Sequence, residues 1–385
     1  MPKSPNRRNN IPPKELATLW GASAGRCNIC NTSLLIDATT GVRVKAGEMA
    51  HIVGVSDGPR SPRGQDPLSK KDRDLAENLI LLCEKHHTEV DDRLDIYTVD
   101  HLRSRKHRFE ERVFFLTGLD PDRKTLVLRV IATIHGSKVP DIGQEEVREV
   151  VLREQGRYPR FDLSSTAQDA AVDLRQLTNE GTAGYWIEAR TQIARALQLL
   201  QNMQSGGTGA HVSVFGLARI PVLVMLGDEL GDADEITVYH RRNDGGWGWD
   251  PQADLPAFEL VQHGADLITD AVTLVCSLTA TVQIERAPAE ITSAPIVEIR
   301  PVGREPGHTV LDHPESLEVF ARAYREFLSA IEQHAPETIN VLPAVPADAA
   351  VTLGRIRTPA ANPPLRIYDL DRATGRYEFA CEVGR

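Results

Sequence analysis

A segment near the N-terminus gathers residues whose side chains bind metal ions or take up protons. Cys27 and Cys30 form a Cys-x-x-Cys pair, His51 follows alone, and a Cys-x-x-His-His sequence begins at Cys83. Thiolate and imidazole groups at such spacings bind zinc, and an imidazole titrates near neutral pH and can take a proton from water. The segment therefore predicts a metal-stabilised scaffold that carries a separate set of catalytic residues.

One group of four residues has the spacing of zinc ligands. They are Cys27, Cys30, Cys83 and His86. A closed Cys3His tetrahedron leaves no coordination position for water or substrate, so this Zn2+ is expected to be structural. A Cys-x-x-Cys sequence can also be a redox motif of the thioredoxin type, but that motif needs a preceding strand and a following helix. Since the sequence indicates neither, we predict a structural zinc site.

The elements that must position the remaining residues are short. Val42–Lys45 and Glu48–Val53 predict the two strands of a hairpin, which would place His51 on a strand. A long loop rich in Gly, Pro, Ser and charge, Gly54–Asp74, follows the hairpin. Asn78–His87 is then expected to run from a strand or turn into a helix.

The order of these residues resembles the HNH endonucleases, whose ββα-metal core the segment matches through nearly its whole length. The resemblance implies that His51 is the general base that takes a proton from water. It implies that Asn78 holds the loop and orients the base, and that His87 binds a catalytic divalent metal, Mg2+ or another ion. An imidazole base and one metal can together supply the chemistry of phosphodiester hydrolysis.

The chain departs from the HNH pattern at one position. The family often has Asp or His directly before the base as a second metal ligand, and this chain has Ala50 there. Another carboxylate would have to serve, either Glu48 or one within Asp72–Glu77.

Length and composition set the broad class of protein. At 385 residues the chain is expected to hold two or three domains, given about 150 residues per domain. No apolar run approaches the roughly 20 residues that span a bilayer, and the N-terminus lacks the apolar core of a signal peptide, so we expect a cytoplasmic protein without membrane contact. Five cysteines, three of them at the zinc spacing, indicate a reducing compartment. Cys276 and Cys381 are expected to be inert packing residues.

Charge is unevenly distributed along the chain. The formal net charge of -10 argues against a surface that binds nucleic acid uniformly. Basic residues nevertheless crowd the first part, where a polyanion could be held through its phosphates with a strong salt dependence. Alternatively, they form only a solvated face. These residues are Lys3, Arg7, Arg8, Lys14, Arg26, Arg43, Lys45, Arg60, Arg63, Lys70, Lys71, Arg73, Arg103, Arg105, Lys106, His107 and Arg108.

The second half contains a weak internal repeat. A strand and a Pro-containing turn at His211–Pro221 lead into a helix-like segment that closes at Gly227, and the same order runs from Ile339 through Pro346 to Gly354. Alternating strands and helices predict two α/β units with parallel sheets, which bind ligands at the C-terminal ends of their strands. A pseudo-symmetric pair of units would form one crevice across the join.

The segment Phe161–Arg385 resembles a SAVED domain, a sensor of two fused CARF-like Rossmannoid α/β halves. His211–Gly227 and Leu342–Gly354 carry most of this resemblance. Combined with the N-terminal segment, the chain resembles the HNH-SAVED effectors of bacterial CBASS anti-phage systems. The fold class is therefore expected to be multidomain, α+β and α/β. The expected divisions are an HNH endonuclease domain at 1–118, a connector at 119–160 and a SAVED domain at 161–385.

The HNH-SAVED resemblance implies a switched enzyme. A cyclic di- or oligonucleotide, made by a partner nucleotidyltransferase after infection, would bind the sensor. Binding would drive a homo-oligomer, expected to be a dimer that assembles further, into a state that degrades double-stranded DNA.

Six residues of the second half are candidate contacts for such a cyclic nucleotide. Aromatic side chains stack on bases, arginine pairs with phosphate, and helix N-termini after the Pro-containing turns could hold phosphates. Each of the six could instead serve the core or a solvated strand end. The candidates are Trp186, Phe215, Arg219, Arg241, Trp247 and Arg355.

Two other functions are open at this stage. The zinc-stabilised N-terminal domain could recruit DNA or a protein partner, while the second half senses a nucleotide without hydrolysis. The combination of His51, Asn78 and His87 distinguishes the nuclease, because a recruiting module has no need of it. The third possibility is an ungated restriction-type HNH nuclease whose second half reads DNA, and the acidic balance of that half argues against it.

Overall fold

The computed structural model divides the chain into two compact units, Met1–Asp120 and Pro121–Arg385. The described residues are 11–37, 40–44, 46–58, 61–118, 123–160, 171–205, 211–231, 235–264 and 270–384. Five of the basic residues named above lie outside these ranges: Lys3, Arg7, Arg8, Lys45 and Arg60.

The first unit has a two-stranded antiparallel sheet between helices. Its elements are α1 (Pro13–Ala22), β1 (Gly47–His51), β2 (Leu79–Cys83), α2 (Glu84–Asp92) and α3 (Val99–Thr117). A single 3-10 turn, Ala76–Asn78, leads directly into β2, and α2 starts at the residue after it. The two strands and α2 therefore follow one another in the order strand, strand, helix.

The predicted hairpin partner of β1 is wrong. β1 pairs along its whole length with β2, so that His51 lies opposite Leu79. Arg43, inside the predicted strand Val42–Lys45, instead forms an isolated bridge with Ile36. Burial explains the difference: four of the five residues of β2 are completely buried, whereas the described part of Val42–Lys45 lies near the surface. A strand in the centre of the core buries more apolar surface when it pairs with β1.

The second unit contains two sheets. The five-stranded sheet has the order β4-β3-β6-β7, with β5 also on β3, and the six-stranded sheet has the order β13-β12-β11-β9-β10-β8. The strands are β3 (Lys124–Ile131), β4 (Tyr158–Arg160), β5 (Ala171–Asp173), β6 (His211–Leu217), β7 (Glu235–Val238), β8 (Phe258–His263), β9 (Ala271–Ser277), β10 (Ile296–Pro301), β11 (Thr338–Ala344), β12 (Leu365–Leu370) and β13 (Tyr377–Val383).

Helices cover these sheets. They are α4 (Gln144–Gln155), α5 (Ala183–Ser205), α6 (Ile220–Leu230), α7 (Ala289–Thr292), α8 (Ser316–Glu332) and α9 (Ala347–Ile356). Among all the helices described, none combines the length and the apolar character that crossing a bilayer requires.

The predicted connector, residues 119–160, supplies β3 and α4 to the second unit. β3 pairs in parallel with β6 and is buried along nearly its whole length. Its neighbours β4 and β5 also run parallel to it. The compact unit therefore includes residues that precede the expected start of the sensor at 161, while residues 161–170 lie outside the described ranges.

The internal repeat corresponds to two equivalent strand-helix-strand units. β6, α6 and β7 form the first, β11, α9 and β12 form the second, and the two strands of each unit are parallel neighbours. α6 and α9 cross at their glycines. A Cβ on Gly227 would lie 2.0 Å from the carbonyl oxygen of Val351, and one on Gly354 would lie 2.1 Å from that of Val224. Both glycines are thus required for the helices to approach this closely.

Substitution at this crossing is expected to be strongly destabilising. Gly354→Ala forces a methyl group against the backbone of α6. We expect the free energy of unfolding to fall by about 3 kcal/mol. Gly184→Ala in α5 is the matched control, because its Cβ meets nothing within 4 Å. Urea unfolding monitored by circular dichroism checks the pair, and equal stability of the two variants would contradict the close crossing.

A buried histidine joins the two repeats by charge. His240, completely buried, places Nδ1 3.0 Å from Asp348 and Nε2 3.0 Å from Asp312. Burial alone lowers the pKa of His240, but the two carboxylates more than offset it, so its pKa is raised above the ordinary value. Asp348 is in the first turn of α9, whereas His240 follows β7, so the ion pair links the second repeat to the first.

This pairing predicts a defined pH dependence of stability. A raised folded-state pKa gives stabilisation that is complete below the unfolded pKa of about 6.5 and is lost as the pH rises through the folded value. His240→Gln cannot charge, so its stability deficit relative to wild type should shrink from about pH 6.5 upward. Melting temperatures across that range test this, with the exposed His334→Gln as control. A stability deficit of His240→Gln that grows as the pH rises would contradict a raised pKa of His240.

Candidate functional site

Three thiols and one imidazole converge in the first unit. The ligand atoms of Cys27, Cys30, Cys83 and His86 all lie within 4.8 Å of one another. Cys27 and Cys30 come from the turn after α1, Cys83 ends β2, and His86 lies in the first turn of α2. Within the part of the chain that the structure describes, this is the one group of three or more such side chains.

The distances within this group fit a tetrahedral zinc ion. Sulfur ligands with Zn–S bonds of about 2.3 Å lie about 3.8 Å apart. Cys30 Sγ is 4.0 Å from Cys83 Sγ, and His86 Nδ1 is 3.1 Å from Cys83 Sγ and 3.7 Å from Cys27 Sγ. Burial raises the pKa of the Cys27 thiol to about 11, which a cation among the sulfurs would oppose because it binds the thiolate. The donor set therefore suits Zn2+.

His51 ends β1 and faces a carboxylate from the long loop. Its Nε2 atom lies 2.9 Å from Asp74 Oδ1, and its side chain is 17% exposed. A carboxylate that accepts the Nε2 proton fixes the orientation and tautomer of the ring and leaves Nδ1 with a free lone pair. Asp74 falls in the segment Asp72–Glu77, where a metal-binding carboxylate was expected, but here it contacts the histidine.

Asn78 ties the chain on both sides of the loop together. It is 3% exposed and accepts a hydrogen bond from the amide of Val53 at 2.9 Å. Its Nδ2 donates to the carbonyls of Val53 and Arg73, both at 2.9 Å. Since Val53 lies two residues beyond His51, these bonds restrain the strand end that carries the imidazole.

His87 and Glu48 form the second pair of polar groups. Nδ1 of His87, in the first turns of α2, lies 3.3 Å from Oε2 of Glu48 on β1. Both side chains are partly accessible, at 14% and 36%. An imidazole and a carboxylate are groups that bind divalent cations, and Glu48 is one of the carboxylates expected to stand in for the ligand missing at Ala50.

His51 and His87 open on the same cavity. This cavity has a volume of about 520 Å³ and is also lined by Asp91, one turn beyond His87, and by loop residues between Gly54 and Pro62. The described residues thus bring the predicted base and the predicted metal ligand to one accessible surface.

Sequence reasoning missed the role of Arg63. This nearly buried side chain donates to the carbonyls of Ile52 at 2.6 Å and Val90 at 2.8 Å, and to the Asp91 carboxylate at 3.2 Å. Its backbone is left-handed, with φ +56°. It therefore joins the chain after His51 to the end of α2. In the sequence it stands in a loop of Gly, Pro and Ser, which gives no signal of such a role.

Three of the predicted nucleotide contacts have structural partners in the second unit. Phe215 is completely buried, stacks on Tyr239 with ring centroids 4.4 Å apart, and meets Trp247 edge-on at 5.0 Å. Trp247 is itself 3% exposed. Arg355 donates from Nε to the carbonyl of Gly231 at 2.8 Å. The rings of Phe215 and Trp247 thus lie in the core rather than on a cavity surface.

Arg219 and Trp186 also pack inside the unit. Nη2 and Nε of Arg219 lie 2.6 and 2.7 Å from Asp369, and Nη1 lies 3.4 Å from Glu180. The guanidinium stands 5.1 Å above the ring of Trp186. Burial raises the pKa of Asp369, and Arg219 opposes that rise. The arginine therefore neutralises a buried carboxylate of β12.

Arg241 has a different location. It lines a cavity of about 430 Å³ at the C-terminal ends of β6 and β11 and beside the first residues of α6 and α9. Arg242, Asn243, Thr279 and His308 line it too. Sequence reasoning did not single out the last three, which follow the strands at a crevice between parallel units and so occupy the expected ligand position of such a fold.

Comparison with known proteins bears on the second half of the chain. Residues 196–383 match the family model described as the SMODS-associated and fused to various effectors sensor domain, SAVED. No curated protein is similar enough to count as a match.

Several solved structures are similar at low identity. The Acinetobacter baumannii Cap4 SAVED/CARF-domain containing receptor with the cyclic trinucleotide 2'3'3'-cAAA has 15% identity and a TM-score of 0.44, over 78% of this chain and 62% of that one. The same receptor with 3'3'3'-cAAA has 15% identity and a TM-score of 0.43, again over 78% of this chain and 62% of that one. The Moraxella osloensis Cap4 SAVED/CARF-domain containing receptor has 14% identity and a TM-score of 0.37, over 82% of this chain and 63% of that one. The chain thus spans about three fifths of the length of these receptors.

The match and the fold agree for the second unit. Its six-stranded sheet and its two equivalent strand-helix-strand units lie within the matched residues, which make up just under half of the chain, whereas β3, β4 and β5 of the five-stranded sheet precede them. Residues 196–383 therefore form a SAVED sensor domain.

Proposed function

We propose that this protein is a DNA endonuclease of the HNH type that a cyclic oligonucleotide switches on through the SAVED domain, as an effector of CBASS-type anti-phage defence. The observation that carries the nuclease assignment is the single cavity on which His51, fixed by Asp74, meets His87. His86, one of the four residues of the predicted zinc group, directly precedes His87 on α2. A module that only recruits a partner has no need of an oriented imidazole at such a surface.

The residues divide the hydrolytic work among them. His51 Nδ1 takes the proton of the attacking water, while Asp74 holds the ring and stabilises the imidazolium that forms. Asn78 and Arg63 keep the strand end and the loop in place. His87 and Glu48 would hold Mg2+ or a similar ion, which stabilises negative charge on the phosphate and the leaving oxygen.

The sensor half supplies the switch. The cavity lined by Arg241 and Arg242 offers two helix N-termini and two guanidinium groups, which are paired with Glu146 and Asp244 and would exchange these carboxylates for the phosphates of a cyclic di- or trinucleotide. Such a ligand would come from a partner nucleotidyltransferase. Binding can activate the enzyme only if the active assembly, here a homo-oligomer larger than the resting one, binds the ligand more tightly.

Plasmid cleavage tests both halves of the proposal. Purified protein is incubated with Mg2+ or Mn2+ and a panel of cyclic di- and trinucleotides that includes both cAAA isomers, and sedimentation is measured with each ligand. Cleavage that requires one ligand and coincides with a larger assembly is the expected result. Cleavage without ligand would favour an ungated restriction-type nuclease. Tight ligand binding with no cleavage under any condition would favour a recruiting module.

A further inference from the structure

The charges of α3 fall into two groups. Arg103 lies 3.8 Å from Asp66, and His107 lies 3.3 Å from Glu111. Lys106 is bonded to Glu110 one turn further along the helix. Arg103 and Lys106 are thus largely neutralised by their own neighbours, and His107 faces a carboxylate as well, so these positions add little to any field that the helix presents outside.

The other three cations of α3 have no ion-pair partner among the described residues. Arg105, Arg108 and Arg112 lie at spacings of three and four, which places them on one face of α3. Among the residues that the structure describes, none of the three forms an ion pair. They line a cavity of about 250 Å³ together with Asn28 and Asn31 of the turn that carries Cys27 and Cys30, and no acidic residue is among its described lining.

Local contacts hold this arginine face in position. Arg105, half-buried, donates from Nη2 to the carbonyl of Ile29 at 3.1 Å. The guanidinium of Arg112 lies 4.8 Å above the ring of Phe109, which is 7% exposed. Three guanidinium groups give a charge of +3, against -1 for a zinc ion with three thiolates and a neutral imidazole, so the cavity is cationic with zinc in place.

We propose that the face formed by Arg105, Arg108 and Arg112 binds backbone phosphates of duplex DNA, as a second contact apart from the cavity of His51. Guanidinium groups pair with phosphate oxygens in a bidentate manner, and a spaced row of them matches a phosphate backbone better than it matches one small anion. This inference rests on the proposed nuclease function and assigns its substrate-holding surface.

The test uses full-length protein in which His51→Ala prevents cleavage. Affinity for a fluorescein-labelled DNA duplex is measured by anisotropy over a range of salt concentrations, with and without the cyclic nucleotide panel. The test variant adds Arg108→Gln and Arg112→Gln, both at exposed positions. The matched control adds Arg93→Gln and Arg103→Gln, which remove the same charge from arginines that are paired with Asp95 and Asp66.

The test variant should bind the duplex about tenfold more weakly than the control at moderate salt, and the slope of log affinity against log salt should fall by about 1.8. Zinc content and melting temperature should be unchanged. Equal duplex affinity of the test and control variants would overturn this inference. The nuclease proposal would still stand in that case, provided that the wild-type protein cleaves plasmid. Failure of His51→Ala protein to bind any duplex, or preference for single-stranded RNA competitor, would overturn it as well. Failure of wild type to cut plasmid would count separately, against the nuclease.

Discussion

His51→Ala is expected to reduce DNA cleavage by roughly 100- to 10,000-fold, because water would lose its proton acceptor. His51 lies at the partly accessible end of β1, and among the described residues its imidazole is hydrogen-bonded to Asp74. Its removal should therefore leave the fold, the zinc content and binding by the SAVED domain unchanged. Single-turnover cleavage of plasmid with saturating activator measures the effect.

A matched histidine controls for nonspecific effects. His107→Ala removes an imidazole that is 72% exposed on α3 and paired with Glu111, away from the cavity of His51. It should cleave at nearly the wild-type rate. If the His51 variant cleaved as fast as the His107 variant, the general-base assignment would be lost, whatever metal the reaction used.

Cys83→Ser is expected to remove zinc and unfold the first unit. Structural zinc supplies about 10–16 kcal/mol of apparent binding free energy in small zinc domains. This is as large as the whole free energy of unfolding of an ordinary domain, about 5–15 kcal/mol. Cys83 joins the metal group to β2, whose apolar residues form the centre of this core. Limited proteolysis should then cut within residues 1–120 and leave the SAVED domain intact, and metal analysis should give no zinc.

A buried thiol elsewhere in the chain provides the control. Cys276 is completely buried in β9, outside the metal group, and burial strongly raises the pKa of its thiol. Cys381 is buried as well, and burial raises the pKa of its thiol to about 12. Cys276→Ala should keep one zinc per chain even if its melting temperature falls. If the Cys83→Ser variant kept its full zinc content and its first unit resisted proteolysis, the structural role of Cys83 as a zinc ligand would be refuted.

Element positions could be predicted well where the apolar pattern was long and regular. The sequence predicts a helix at Gly184–Gln204, because apolar residues that include Trp186 and Ile187 recur along one face, and α5 is observed there at Ala183–Ser205. Its expected apolar face includes Ile187, which is 69% exposed, whereas Trp186 beside it is buried. Helical spacing gives the direction of a face but not its width, because the width depends on how far the neighbouring elements extend over it.

Side-chain partners at the sites were harder to predict. Spacing selected the four zinc-type ligands, whose side chains the structure brings together, whereas the roles of His51 and His87 came from the resemblance to the HNH endonucleases. Asp74 and Arg63 could not be selected, since a carboxylate or an arginine in a polar loop is ordinary until the fold brings it to His51. Phe215 looked suited to base stacking, yet an aromatic residue in a buried parallel strand is more often a core residue.

The crossing of α6 and α9 affects how a signal can travel within the sensor. At Gly227 and Gly354 the two helices touch through backbone atoms, with no layer of flexible side chains between them. Backbone contact of this kind is stiff, because neither helix can yield by changing a rotamer. The N-termini of both helices border the cavity of Arg241. A ligand that displaces one of them must therefore move the other, so that the two repeats act as a single lever.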